Sequence, residues 1–224
     1  MENKAIIFDL FGTLVGATSP ELQIIKEWNL SSNIHDDLQR VICGTKFNGN
    51  YNKYYNLIIE EISIIDSTEN RKKLKNIFNL ELEKALIFPK TKEILGKLKK
   101  EEYRLGLISN AYPPTRQKIL EENDLVKYFD TIFLSYEIGV TKQNPKCYRK
   151  ILNELEVNAE DAIMIGGSLK SDIEISKQAT GGKIGGILIS QKQEKLNLDK
   201  LIIVPNIIYI PKTIEKYFSN PIER

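Results

Sequence analysis

The chain is short of the side chains on which much hydrolytic and metal chemistry depends. Its 224 residues include one histidine (His35), two cysteines (Cys43 and Cys147) and one tryptophan (Trp28). A histidine-centred triad, a histidine-ligated zinc site or a cysteine-rich metal site cannot be assembled from that stock within one chain. The two widely separated cysteines are no disulfide framework. Long apolar runs are lacking too, all of them falling far below the ~20 residues that span a bilayer. The opening Met1-Glu2-Asn3-Lys4 has neither the basic start nor the long apolar stretch of a signal peptide, so a cytoplasmic protein without a membrane partner is expected. Nor is there an excess of one charge: 32 Lys and Arg against 30 Asp and Glu leave +2. The two signs are interleaved, which gives no electrostatic footprint for nucleic acid. Carboxylates, hydroxyls, amides and lysine remain as the chemical repertoire. With 42% apolar residues, a chain of this length buries a full core without disulfides or structural metal.

Four short runs are apolar without alternation, as strands buried on both faces of a parallel sheet are: residues 5–8, 105–108, 131–134 and 162–165. Each passes at once into a polar or glycine-containing turn. Helical patterns at 91–102, 114–122 and 145–156 separate the later runs, and the last two open on a first-turn proline. This alternation predicts a doubly wound, Rossmann-like α/β sheet, in which ligands bind beyond the carboxyl ends of the strands. Residues 16–86 interrupt it with helical periodicity alone. They predict an all-helical cap inserted into a core made of residues 1–15 and 87–224, joined by two hinges and closing over the strand ends. After Ile189, a Lys, Gln and Glu-rich stretch at 191–195 reads as a loop, followed by an apolar run at 201–204 and a terminal helix near 213–218.

The strand ends hold the candidate chemistry. The first ends Phe8-Asp9-Leu10-Phe11-Gly12-Thr13-Leu14, with a carboxylate where a nucleophile would meet a bound substrate. The second ends on Ser109-Asn110. Lys142 stands before Pro145 at a helix start, and Gly166-Gly167-Ser168-Leu169-Lys170-Ser171-Asp172 adds a second carboxylate beside a glycine-rich turn. Taken singly these are an Asx-turn, turn caps and a solvated lysine. A reaction at a carboxylate that brings anions together needs a fixed cation and preorganised donors nearby, and Lys142 is the candidate cation. The tyrosines at 51, 54 and 55 with Trp28 read as helix core or as pocket lining, and the two cysteines as small apolar residues. His35, beside Asp36 and Asp37, reads as a surface residue in the first turn of a helix.

In this order the four segments resemble the haloacid dehalogenase-like hydrolase superfamily over nearly the whole chain, with 16–86 in the place of its inserted helical cap. The resemblance implies a hydrolase in which Asp9 forms a covalent aspartyl intermediate. It implies that Thr13, Ser109 and Asn110 hold the anionic group of a small-molecule substrate, and that Lys142 offsets charge at Asp9. A Mg²⁺ site would use Asp9, the Phe11 backbone carbonyl and Asp172, weakened because Gly167 stands where the family's magnesium-dependent members carry an Asp. Phe11 likewise replaces the family's usual acid, so an alkyl leaving group gets no proton, a loss of ~10²- to 10⁴-fold. Substrates with a good leaving group are therefore expected, phosphorylated small molecules first. A 2-haloacid dehalogenase activity, with Arg40 as a possible substrate contact, and a catalytically impaired binding protein are the alternatives.

Overall fold

The structure, a computed structural model, describes residues 4–191 and 200–219. Strand β1 (Ala5–Phe8) leads into four helices of the insertion: α1 (Pro20–Glu27), α2 (His35–Gly44), α3 (Tyr51–Glu61) and α4 (Thr68–Lys84). The chain returns through α5 (Thr91–Lys100), β2 (Arg104–Ser109), β3 (Thr131–Leu134), α6 (Ser135–Ile138) and α7 (Lys146–Glu154). It ends with β4 (Ala162–Gly166), α8 (Ile175–Thr180), β5 (Gly185–Ile189), β6 (Leu201–Val204) and α9 (Ile210–Ser219). The strands form one sheet in the order β3-β2-β1-β4-β5-β6, every neighbouring pair parallel. This is the doubly wound α/β architecture expected.

The absence of alternation in β1 has a direct cause. Ile6 and Phe8 face the core layer that contains α5 and α9, while Ala5 and Ile7 face the layer of Tyr148, Ile151 and Leu155 on α7. Both faces are covered, so every position is apolar. Two elements were not legible as such. Strand β5 opens on Gly185-Gly186, which reads as a turn; here a Cβ on Gly185 would stand 2.6 Å from Tyr217 Oη, so these glycines let α9 pack close. The polar turn after β4 continues as Leu169–Glu174 in wide π-helical turns before α8, and Arg116–Glu121 likewise winds as a π-helix rather than an α-helix. The expected loop at 191–195 lies outside the described residues beyond Gln191.

The helices of the insertion pack on one another and are continuous with one face of the sheet, in a single cluster that includes Phe8, Leu10 and Tyr112. Ser67 and Asn50 cap α4 and α3 by accepting the Asn70 and Lys53 N–H groups. Tyr54, Tyr55 and Phe78 pack together, with Tyr54 Oη donating to the Ile42 carbonyl at 2.8 Å. These aromatics are core. The two crossings pair with each other: the Gly16 N–H donates to the Leu86 carbonyl at 2.9 Å and the Phe88 N–H to that of Leu14 at 3.0 Å. A Cβ at Gly16 would lie 2.6 Å from the Lys84 carbonyl, so only glycine fits this crossing.

Candidate active site

Asp9 follows the last residue of β1 and is 3% exposed. Beyond it the chain turns back tightly: the Leu10 carbonyl accepts N–H groups from Thr13, Leu14 and Val15, and Gly12 takes the left-handed conformation (φ +77°) that the turn requires. The turn delivers the Thr13 hydroxyl to Asp9, donating to Oδ2 at 3.1 Å. Lys142, from the loop between α6 and α7, is positioned by its own N–H, which donates to Asn110 Oδ1 at 2.8 Å. Its ammonium lies between two acids, 2.6 Å from Asp9 Oδ1 and 2.5 Å from Asp172 Oδ1. The remaining Asp172 oxygen accepts the Ser168 N–H at 2.8 Å. Gly166 makes this possible, since a Cβ there would fall 2.2 Å from Asp172 Oδ2.

All three charges are buried. Burial alone would push the Lys142 ammonium towards losing its proton; the Asp9 and Asp172 carboxylates outweigh it and hold the group above the usual lysine range. Burial raises Asp172 to about 6, with Asp9 adding and Lys142 opposing. Loss of hydration on burial is the main reason that Asp172 holds its proton more tightly than an exposed Asp, and the nearby Asp9 charge adds to it.

A cavity of about 460 Å³ opens above this triad. Asp9, Ser109, Asn110, Lys142 and Asp172 line it, so the structure brings together five of the residues that the sequence singled out. Thr13 stands behind Asp9, wholly buried, with its hydroxyl on the carboxylate rather than in the cavity. Phe11 lines the cavity and stacks on Tyr112, the planes 7° apart and the centroids 6.0 Å. Arg40 is exposed and paired with Asp37, outside the cavity. Sequence reasoning missed the opposite wall. His35, Gln39 and Cys43 of α2 face the cavity with Glu21 of α1. Their i, i+4, i+8 spacing was a usable signal, hidden because the charged flank at Asp36-Asp37 reads as a solvated face. Cys43 is buried, which pushes its thiol up and leaves it a small apolar residue.

Asp9, the Phe11 carbonyl and Asp172 are the groups that would hold a divalent ion. Both Asp9 oxygens and both Asp172 oxygens already accept hydrogen bonds, and among the described residues no group of three or more His, Cys, Asp or Glu converges. Mg²⁺ requires near-octahedral oxygen ligation. With Gly167 contributing no side chain, the Asp9 and Asp172 carboxylates hold the Lys142 ammonium here.

A parallel sheet whose carboxyl edge gathers an Asp, a Lys and a second Asp beneath an inserted helical segment defines a class, the Rossmann-like α/β proteins with a helical insertion over the strand ends. The chain belongs to the haloacid dehalogenase-like hydrolase family, whose sequence pattern matches residues 3–180. It is 27% identical over 205 residues to the phosphorylated carbohydrates phosphatase of Thermotoga maritima, covering 88% of this chain and 90% of that one. Over 85 residues it is 32% identical to the glyceraldehyde 3-phosphate phosphatase of Pyrococcus abyssi, 38% of this chain and 36% of the relative, so it spans about a third of that protein's length. The fold is shared with 2-haloacid dehalogenase from Pseudomonas syringae at 17% identity, TM-score 0.59, covering 96% of this chain and 99% of that one. No helix among the described residues is long and apolar enough to cross a membrane.

Proposed function

We propose that this hydrolase cleaves a small phosphorylated substrate with a good leaving group, through a covalent phosphoryl-aspartyl intermediate on Asp9. The observation that carries the reading is the buried Asp9–Lys142–Asp172 triad at the floor of the cavity. In the first step an Asp9 oxygen attacks phosphorus and the bond to the leaving oxygen breaks, its electron pair departing with the leaving group. In the second, water attacks phosphorus, releasing inorganic phosphate and a proton to solvent and restoring the Asp9 carboxylate. Lys142 has three N–H donors, two of them engaged by the acids, so one remains for a phosphoryl oxygen. Ser109 and Asn110 supply further polar contacts at the end of β2, and Thr13 orients Asp9. Residues 16–86 act as the cap that excludes water, moving about the paired crossings at Gly16 and Leu86.

Phe11 offers no proton, so phenols and carboxylic acids are the leaving groups that suit the site. The dehalogenase reading is less well supported: the chain is 27% identical over 205 residues to a phosphorylated carbohydrates phosphatase, whereas the 2-haloacid dehalogenase shares the fold at 17% identity. Turnover of p-nitrophenyl phosphate and of 2-chloropropionate by the wild type and by Asp9→Asn tests this. Phosphate release that Asp9→Asn abolishes is expected; equal activity in the two proteins would overturn the mechanism.

A further inference from the structure

The two walls of the cavity differ in chemistry, and the wall supplied by the insertion speaks to the tail of the substrate. Glu21 lines it at 6% exposure, with no Lys or Arg beside it among the cavity residues. Glu81 stands near and is itself satisfied by the Ser19 N–H at 2.7 Å and by Lys84. The basic group nearest Glu21 is the His35 ring. His35 Nε2 is 3.6 Å from Glu21 Oε1, beyond hydrogen-bond reach, and the other ring nitrogen is 3.1 Å from Asp36. Burial, and secondarily Glu81, raise the Glu21 carboxyl pKa, while its own backbone N–H, His35 and Gln39 oppose them. A second observation points the same way. Tyr112 also lines the cavity, is 1% exposed, and its hydroxyl makes no hydrogen bond, although the Thr18 side chain faces it. A buried hydroxyl without a partner is costly in a closed protein and inexpensive once a ligand supplies a donor.

We infer that the cavity selects an aryl phosphate whose tail ends in a primary ammonium, with Glu21 and Tyr112 Oη receiving the ammonium while the phosphoryl group lies at Asp9 and Lys142. The inference deepens the phosphatase reading and rests on it for the placement of the phosphoryl group. Phe11, stacked on Tyr112, gives the aryl ring an aromatic surface between the two ends. A volume of about 460 Å³ accommodates a molecule of this size. A carboxylated tail meets Glu21 with no Lys or Arg beside it to offset it, so the same wall rejects acidic substrates.

A matched pair tests it: tyramine O-phosphate against 4-(phosphonooxy)phenylacetate, which share a phenol leaving group and differ in tail charge, with p-nitrophenyl phosphate as the tail-free reference. In the wild type, kcat/KM should favour the ammonium compound by at least about tenfold, since like charges brought together in a desolvated site cost that much or more. In Glu21→Gln the ratio should fall to within about threefold of unity. A wild-type ratio at or below unity, or a ratio unchanged in Glu21→Gln, overturns the inference while leaving Asp9 chemistry intact. Should p-nitrophenyl phosphate be untouched by the wild type, the phosphatase reading fails instead. Tail preference is then read from the rise in Tm given by each compound, where an equal or larger rise with the carboxylate overturns it.

Discussion

Replacing Lys142 with methionine keeps most of the side chain's volume and removes only the charge, which isolates the role of the ammonium. In the wild type it lies 2.6 Å from one buried carboxylate and 2.5 Å from another. Without it two acids face each other in a site that burial already makes hostile to charge. Breaking a buried ion pair costs about 3–5 kcal/mol. For 224 residues the unfolding entropy is about 0.47 kcal/mol per kelvin, so Tm should fall by about 6–10 °C at pH 8. The fall should depend on pH in a definite direction. The orphaned pair binds a proton in the folded state that an unfolded Asp, with its ordinary value of 3.8, does not. Its folded pKa is raised, so the stability it contributes is greatest at low pH and is lost as pH rises. Between pH 6 and 8 the deficit of Lys142→Met should therefore widen by up to about 1.4 kcal/mol per unit, whereas wild-type Asp172, at about 6, is half ionised at pH 6 and loses the rest of its proton early in that window. Thermal denaturation by circular dichroism at pH 6, 7 and 8 measures both quantities. A Tm change under about 2 °C at every pH, or one of equal size at pH 6 and pH 8, would refute the seating of Lys142 between the acids.

Four other substitutions test the site's construction. Gly166→Ala should abolish most activity, because its Cβ would occupy the position of Asp172 Oδ2, whereas Gly167→Ala, whose Cβ meets the Gly12 carbonyl at 3.1 Å, should be much milder; comparing kcat of the two variants with p-nitrophenyl phosphate decides this. Gly16→Ala drives a methyl group into the Lys84 carbonyl and should lower stability by about 1–3 kcal/mol, read as a fall in the midpoint of urea unfolding. Phe11→Asp supplies the missing acid, so the ratio of alkyl to aryl phosphate turnover should rise by about tenfold or more; an unchanged ratio would show that Phe11 does not set leaving-group preference.

Much of this was readable because it rests on local chemistry. The strands at 5–8 and 131–134 coincide with β1 and β3, since a segment buried on both faces has no polar positions to blur its ends. The four polar strand ends named Asp9, Ser109, Asn110, Lys142 and Asp172, and a parallel sheet necessarily brings such ends to one edge. Other features depended on contacts remote in sequence. Strand β5 was hidden because Gly185 is present for the sake of Tyr217, on another element. Thr13 was read as a substrate contact, yet the tight turn over the Leu10 carbonyl directs its hydroxyl onto Asp9. Glu21 gave no sign of itself, and the spacing of His35, Gln39 and Cys43 did not say which way they face: whether a helix end faces solvent or a cavity depends on how the insertion docks, which periodicity does not encode.

The central claim is that Asp9 carries the reaction covalently, and it has a direct chemical readout. The wild type, mixed with excess p-nitrophenyl phosphate and quenched in acid during turnover, should yield a peptide containing Asp9 that is heavier by one phosphoryl group and loses it in mild base or hydroxylamine. The same treatment of Asp9→Asn should leave every peptide unmodified. A phosphoryl group found on another residue, or full turnover with no trapped adduct and undiminished activity in Asp9→Asn, would contradict the account.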